Sequence, residues 1–206
     1  MEFSVQTANP AKTETACLLV PVFKGSDLLP SVAKLDDASE RLIGQLLERG
    51  DFDAALGNVQ LIPFAPGLGA DRILLVGLGE REKCQEAAFI KSLDAAMAAL
   101  VKLPIDEASV VFGDVPLADR EPAWKARKIM EAAERAIYRF DQFKSSPAPA
   151  FSLAKLTLFI SDTDAVAQVK QGALVGNAIG QGINYTRTLG NLPSAPLATL
   201  LSRQNN

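Results

Sequence analysis

The residues able to do chemistry are few, and histidine is absent from all 206 positions. That one absence excludes Ser-His-Asp and Cys-His catalysis, His-ligated zinc and imidazole proton transfer near neutral pH. Cys17 and Cys84 lie far apart with no Cys-x-x-Cys spacing, so they read as reduced thiols rather than as a zinc or redox pair. Asp162 and Asp164, flanking Thr163, offer two hard oxygen donors of the kind a divalent cation takes. They stand just ahead of a helical stretch, however, where Asp and Thr satisfy free N–H groups, so capping is their expected role. Glu40, Glu48, Asp51 and Asp53 scatter around a helix end and read as a solvated face. No catalytic and no metal-ligating residue is therefore assigned in this chain.

Two segments could meet phosphate. Residues 73–79 are an apolar run entering Gly77-Leu78-Gly79, a shape that can bring backbone N–H groups up to an anion. The third glycine of a dinucleotide fingerprint is missing, and Glu80 and Glu82 follow at once, so an ordinary strand-to-helix turn is expected. Residues 120–144 hold seven basic side chains against four acidic ones. Lys125, Lys128, Arg135 and Arg139 are the possible DNA contacts there, with Lys128, Arg135 and Arg139 able to share one helical face. Glu131 interrupts that face and pairs at i,i+4 with Arg127, which favours a solvated helix. Trp124, Phe140 and Phe143 have aliphatic neighbours and read as core or interface residues rather than a base-stacking platform.

The elements that would position these residues alternate. Residues 2–6 and 16–20 read as strands, the second ended by Pro21. A first helix is expected within 28–50, closed by Gly50. Residues 58–64 and 72–76 are strand-like and joined through Pro66-Gly67-Leu68-Gly69 as a turn or hairpin, the second breaking at Gly77. A helix over 86–102, a strand over 108–112, a helix from Pro122 to about 143, a loop over 145–149 and a strand over 153–160 follow. A long, weakly amphipathic helix then ends near 189. This alternation predicts a three-layer α/β domain with a largely parallel or mixed central sheet.

Composition fits a globular chain: 48% hydrophobic, 22% charged and a formal net charge of −3, with no global basic field to draw it to nucleic acid or anionic lipid. The N-terminus lacks a basic stretch leading into an apolar run, and the longest uninterrupted apolar segment, 95–101, is too short to cross a bilayer. A cytoplasmic protein with no membrane partner is expected.

Residues 178–194 carry a more specific signal, because they resemble the hinge of leucyl aminopeptidases, also called cytosol aminopeptidases. The family's linker helix ends approximately Ala-Arg-Asp-Leu-x-Asn-x-Pro, and Arg187, Leu189, Asn191 and Pro193 match it. Residues 1–5, 72–79, 124–127 and 138–144 also look like bacterial members, so the similarity runs from Met1 to about Ser194. The resemblance implies a macro-domain-like α/β domain over 1–160, a linker helix and hinge over 161–194, and a divergent tail over 195–206. It further implies a non-catalytic assembly or regulatory domain whose family partner, a larger catalytic domain, holds paired divalent Zn or Mn and removes N-terminal residues from peptides.

The family's ligand signature, Asn-Thr-Asp-Ala-Glu-Gly-Arg, has no counterpart, since Asp162-Thr163-Asp164-Ala165 continues as Val166-Ala167. This chain alone is accordingly expected to be inactive and to bind no cofactor, with the catalytic domain or full-length aminopeptidase subunits as expected partners. Thr188 replaces the usual Asp, and the sequence after Ser194 departs from the family, as in a truncated or frame-shifted product or an excised domain. Two alternatives stand beside this reading: a DNA-contacting module built on 120–144, and an ADP-ribose binder near Gly77–Gly79, which the macro-domain likeness suggests.

Overall fold

The computed structural model describes residues 1–25, 27–146 and 149–193. The expected tail over 195–206 and part of the 145–149 loop lie outside them. Six strands, β1 (Glu2–Gln6), β2 (Leu18–Phe23), β3 (Val59–Ile62), β4 (Ile73–Gly79), β5 (Glu107–Val110) and β6 (Lys155–Phe159), form one sheet in the order β1-β6-β5-β2-β4-β3. Every pairing is parallel except β3 with β4. Five helices connect or follow them: α1 (Pro30–Ala38), α2 (Leu42–Arg49), α3 (Glu86–Leu100), α4 (Pro122–Ile137) and α5 (Val166–Asn191).

The sequence dictates this arrangement through burial. β2 and β4 are apolar along their whole length and wholly buried, which suits central parallel strands covered on both faces. The edge strand β1 carries polar residues at its exposed ends, and β3, at the other edge, leaves Leu61 exposed. Along one face α3 packs against α4 and α4 against α5. The β2-to-β4 connection, which carries α1 and α2, steps across the sheet in the opposite sense from the β4-to-β5 and β5-to-β6 connections. Right-handed crossover therefore puts it on the other face, completing three layers.

Four expectations are corrected. Pro21 does not end its strand but lies inside β2. The N–H of Leu18 bonds to Arg72 O on the β4 side, so by alternation position 21 faces β5, whose pairing with β2 has already ended at Leu19↔Val110. A missing donor costs nothing there. The single helix expected within 28–50 is two, because Glu40 and Arg41 adopt left-handed backbone, Ser39 Oγ bonds back to Leu35 O, and the buried Asp36 carboxylate turns forward to accept from Gly44 N at 2.9 Å. Asp36 thus caps the helix after its own. α4 stops at Ile137 rather than near 143, with Tyr138 already extended.

The last correction concerns Gly77-Leu78-Gly79, which is strand and not turn. Gly77 N donates to Asn58 O and Gly79 N to Ala54 O. The backbone of Ala54 lies so close that a Cβ on Gly77 would meet its carbonyl carbon at 2.7 Å. Glycine is needed there for close packing of chain on chain, and no amide is left to hold an anion.

Candidate hinge and docking surface

The two longest helices run side by side in the same direction, since β6 lies between them in sequence and each follows a strand of one parallel sheet. Their contact is a glycine seam. Gly172, Gly176 and Gly180, four residues apart on α5, are buried against Ala123, Arg127 and Glu134 of α4. A Cβ on Gly172 would stand 2.7 Å from Ala123 C, and one on Gly176 would stand 2.8 Å from Arg127 Cα and nearer still to its carbonyl oxygen. Glu134, beneath Gly180 and 4% exposed, accepts from the Met1 ammonium at 2.9 Å, which ties the start of β1 to the seam.

Above Gly180 the packing changes from backbone contact to side-chain fastening. Asn184 Nδ2 donates to Glu134 O at 2.8 Å. The guanidinium of Arg187 lies 3.9 Å from the centre of the Tyr138 ring, Asn191 Nδ2 donates to the Tyr138 hydroxyl at 3.2 Å, and Thr188 Oγ1 lies 3.4 Å from the same oxygen. Three residues of the hinge segment therefore converge on the one tyrosine that ends α4. Leu189 is partly buried, and Pro193 is exposed just past the helix end. α5 has 26 residues against 16 in α4, and the extra length lies mainly at its N-terminal end, because Gly172 stands opposite Ala123 near the start of α4 while Asn191, the last residue of α5, still reaches Tyr138 just past the end of α4. Leu174 and Val175, turned away from the seam, are exposed, and so is Ile183, which lies in line with the glycines just past Gly180.

The basic residues of 120–144 do not form a free row. Lys125 Nζ turns inward to the carbonyls of Gly113 and Val115, and burial lowers its pKa against the opposing charge of Asp114. Lys128 and Arg127 both hold Glu131 at 2.7 Å. Arg135 pairs with Asp94 at 2.7 Å. Arg139 lies beyond the helix end, so it cannot share a helical face with Lys128; it covers the Phe151 ring at 5.2 Å, donates to Pro149 O and reaches Asp141 at 3.5 Å. Each of the four side chains already has a partner within the chain, which gives the DNA reading no support.

Trp124 packs by Phe89 at 5.9 Å between centroids, while Phe143 stays exposed. Asp162 does not cap α5, whose N-cap is Ala165 with no side-chain bond; its Oδ1 instead accepts from Asp164 N at 2.9 Å in a local turn. Among the described residues no group of three or more Cys, Asp or Glu side chains is placed to hold a metal ion. The exposed Asp162 and Asp164, one of them already satisfied by backbone, do not fit the divalent metals that the family resemblance implies. Cys17 is fully buried and its thiol is pushed up to about 12 by that burial, which makes it inert.

Comparison with known proteins decides what this domain is. Residues 19–147 match the family described as the cytosol aminopeptidase family, N-terminal domain. This chain belongs to that family. A probable cytosol aminopeptidase of Chromohalobacter salexigens is 66% identical over 193 residues, covering 94% of this chain and 38% of the relative. The cytosol aminopeptidase of Pseudomonas aeruginosa is 36% identical, covering 94% and 39%. The chain thus spans about two-fifths of the length of the cytosol aminopeptidases it matches. Among solved structures, a tomato leucine aminopeptidase mutant superposes with a TM-score of 0.74 at 18% identity over 94% of this chain and 39% of that one. A bottromycin maturation enzyme in complex with Mn superposes with a TM-score of 0.65 at 20% identity over 92% and 35%. These two likenesses establish the shared fold.

The sequence signalled the hinge letters but not what holds them. Tyr138 was visible only as one letter of a family-like stretch, and the spacing of Gly172, Gly176 and Gly180 is the signal that would have revealed the seam.

Proposed function

We propose that this chain serves as the non-catalytic assembly and regulatory domain of a metal-dependent leucyl aminopeptidase, an enzyme that removes N-terminal residues from peptides in the cytoplasm. The observation that carries the reading is the hinge: Arg187, Thr188 and Asn191 are held on Tyr138 where α4 and α5 end together. A helix end so held suits the task of fixing the direction in which a following domain leaves. Ile183, exposed one turn before Arg187, supports contact with the catalytic domain or with neighbouring aminopeptidase subunits.

In this reading the chemistry, and the Zn or Mn that supplies it, belongs to residues outside the chain. What the chain's own residues do is position: the seam sets the angle of α5, and Tyr138 sets its end. The purified chain, given a leucyl anilide with Mn²⁺ or Zn²⁺, should release no product above the metal-only blank. Turnover that tracks the protein through purification would refute the proposal.

A further inference from the structure

A cavity of about 330 Å³ opens outside the carboxyl ends of β1, β5 and β6, near the lower end of the range of roughly 300–1,000 Å³ typical of ligand sites. Its place in the topology is a crevice by construction. β2 and β5 are neighbours, and the chain leaves β2 towards β4 but leaves β5 towards β6, so the two connections diverge and leave a gap where ligands of open α/β sheets bind.

Three side chains in this cavity have unused capacity. Ser31, in the first turn of α1, is 8% exposed and its Oγ is buried with no hydrogen-bond partner. A buried hydroxyl left so calls for an explanation, and a ligand is one. Asp114 accepts from Ser31 N at 3.2 Å on one oxygen and from Ser161 Oγ at 2.7 Å on the other, which leaves about one lone pair free on each. Lys34, one turn further along α1, lines the same cavity. Neither Asp114 nor Lys34 is in ion-pair contact with the other or with any other described residue, and Lys125, which feels the Asp114 charge, spends its own hydrogen bonds on the carbonyls of Gly113 and Val115. Opposite charges that share a cavity without meeting leave room for a molecule carrying both signs.

We propose that this cavity binds a free α-amino acid, with its ammonium on Asp114 and Ser31 Oγ, its carboxylate on Lys34 and an aliphatic side chain against Val111, Phe159 and Ile160. A phosphate-bearing ligand fits worse, because the Asp114 carboxylate already occupies the N-terminal end of α1 where an anion would sit. A free amino acid is what an aminopeptidase releases, so the physiological meaning of the site rests on the function proposed above, while its existence does not.

The test is calorimetric titration of the 206-residue chain with L-leucine, 4-methylpentanoate, which lacks the ammonium, and 3-methylbutylamine, which lacks the carboxylate. L-Leucine should bind with a dissociation constant on the order of 1 mM or tighter, and each analogue at least about tenfold more weakly. Lys34→Ala, an exposed change that leaves the fold intact, and Ser31→Ala should each weaken L-leucine by about threefold or more. No binding of L-leucine, equal binding of either analogue, or unchanged affinity in Lys34→Ala would overturn the proposal. None of these readouts depends on peptidase activity, so failure here is distinct from failure in the anilide assay.

Discussion

Adding one methyl group to α5 should have opposite effects at two positions six residues apart. In Gly176→Ala the new Cβ falls 2.8 Å from Arg127 Cα and closer to its carbonyl oxygen. Both are backbone atoms of a buried helix, so relief requires α4 and α5 to separate by on the order of 1 Å. Overpacking of this kind costs about 1–3 kcal/mol, and separation also loosens the buried contacts of Met130, Ala133, Val169 and Ala173 along the seam. Alanine in a helix interior recovers up to about 1 kcal/mol relative to glycine. With the loosened contacts included, the balance is a net loss of roughly 1–2 kcal/mol, or about 2–8 °C in Tm for a domain of this size. In Gly182→Ala nothing lies within 4 Å of the new Cβ, so only the propensity gain remains. That variant should gain about 0.5–1 kcal/mol. Urea denaturation followed by circular dichroism measures both. A Gly176→Ala midpoint at or above that of the unsubstituted chain, or shifts of the same sign in the two variants, would show that the glycine seam is not what joins these helices.

Two further outcomes are expected in the same region. Burial raises the pKa of Glu131, but hydrogen bonds from Lys128 and Arg127 outweigh it and hold the carboxyl below its ordinary value of 4.5. Its folded pKa is thus depressed, so its contribution is complete above the unfolded value and is lost as pH falls through the folded one. Glu131→Gln should therefore lower the urea midpoint at neutral pH and narrow the gap to the unsubstituted chain at about pH 3; a gap independent of pH would contradict this. Tyr138→Phe keeps the ring beneath Arg187 but removes the hydroxyl that Asn191 and Thr188 reach. Amides of the last turn of α5 should exchange faster, consistent with a loss of about 0.5–1.5 kcal/mol, while those near Gly172 and Gly176 stay protected; uniform acceleration along α5 would refute a local role.

Alternation of strand and helix was legible because burial imposes it: β2 and β4 are apolar runs, and α3 and α4 repeat at helical spacing. What was not legible depends on neighbours. Pro21 reads as a breaker until it is known that β5 has ended on the side its nitrogen faces. Gly77 and Gly79 read as a strand-to-helix turn until the backbone of 54–58 is seen against them. Asp36 looks like a helix-interior acid, but its partner is an amide of the next helix. The basic residues of 120–144 were countable and the Arg127–Glu131 pair followed from i,i+4 spacing, yet the partners of Arg135 and Lys125 lay in Asp94 and in carbonyls that spacing does not pair with them.

The seam and the tyrosine divide α5 into two mechanical parts. At Gly172 and Gly176 the helix lies backbone to backbone on α4, and at Gly180 on the Glu134 side chain, so any tilt there forces atoms already in contact to overlap or opens a void in the core. Beyond Gly180 it is held by the Asn184 amide and by groups on a single aromatic ring. A side-chain hydrogen bond nets about 0.5–1.5 kcal/mol and an exposed cation–π contact about 0.5–1 kcal/mol, so the outer turns can be released at a cost of a few kcal/mol without disturbing the core. A helix that was flexible throughout could not transmit orientation, and one clamped throughout could not adjust it. The hinge letters Arg187, Leu189, Asn191 and Pro193 fall in or just past the releasable part, where the proposed steering of a C-terminal neighbour would need them.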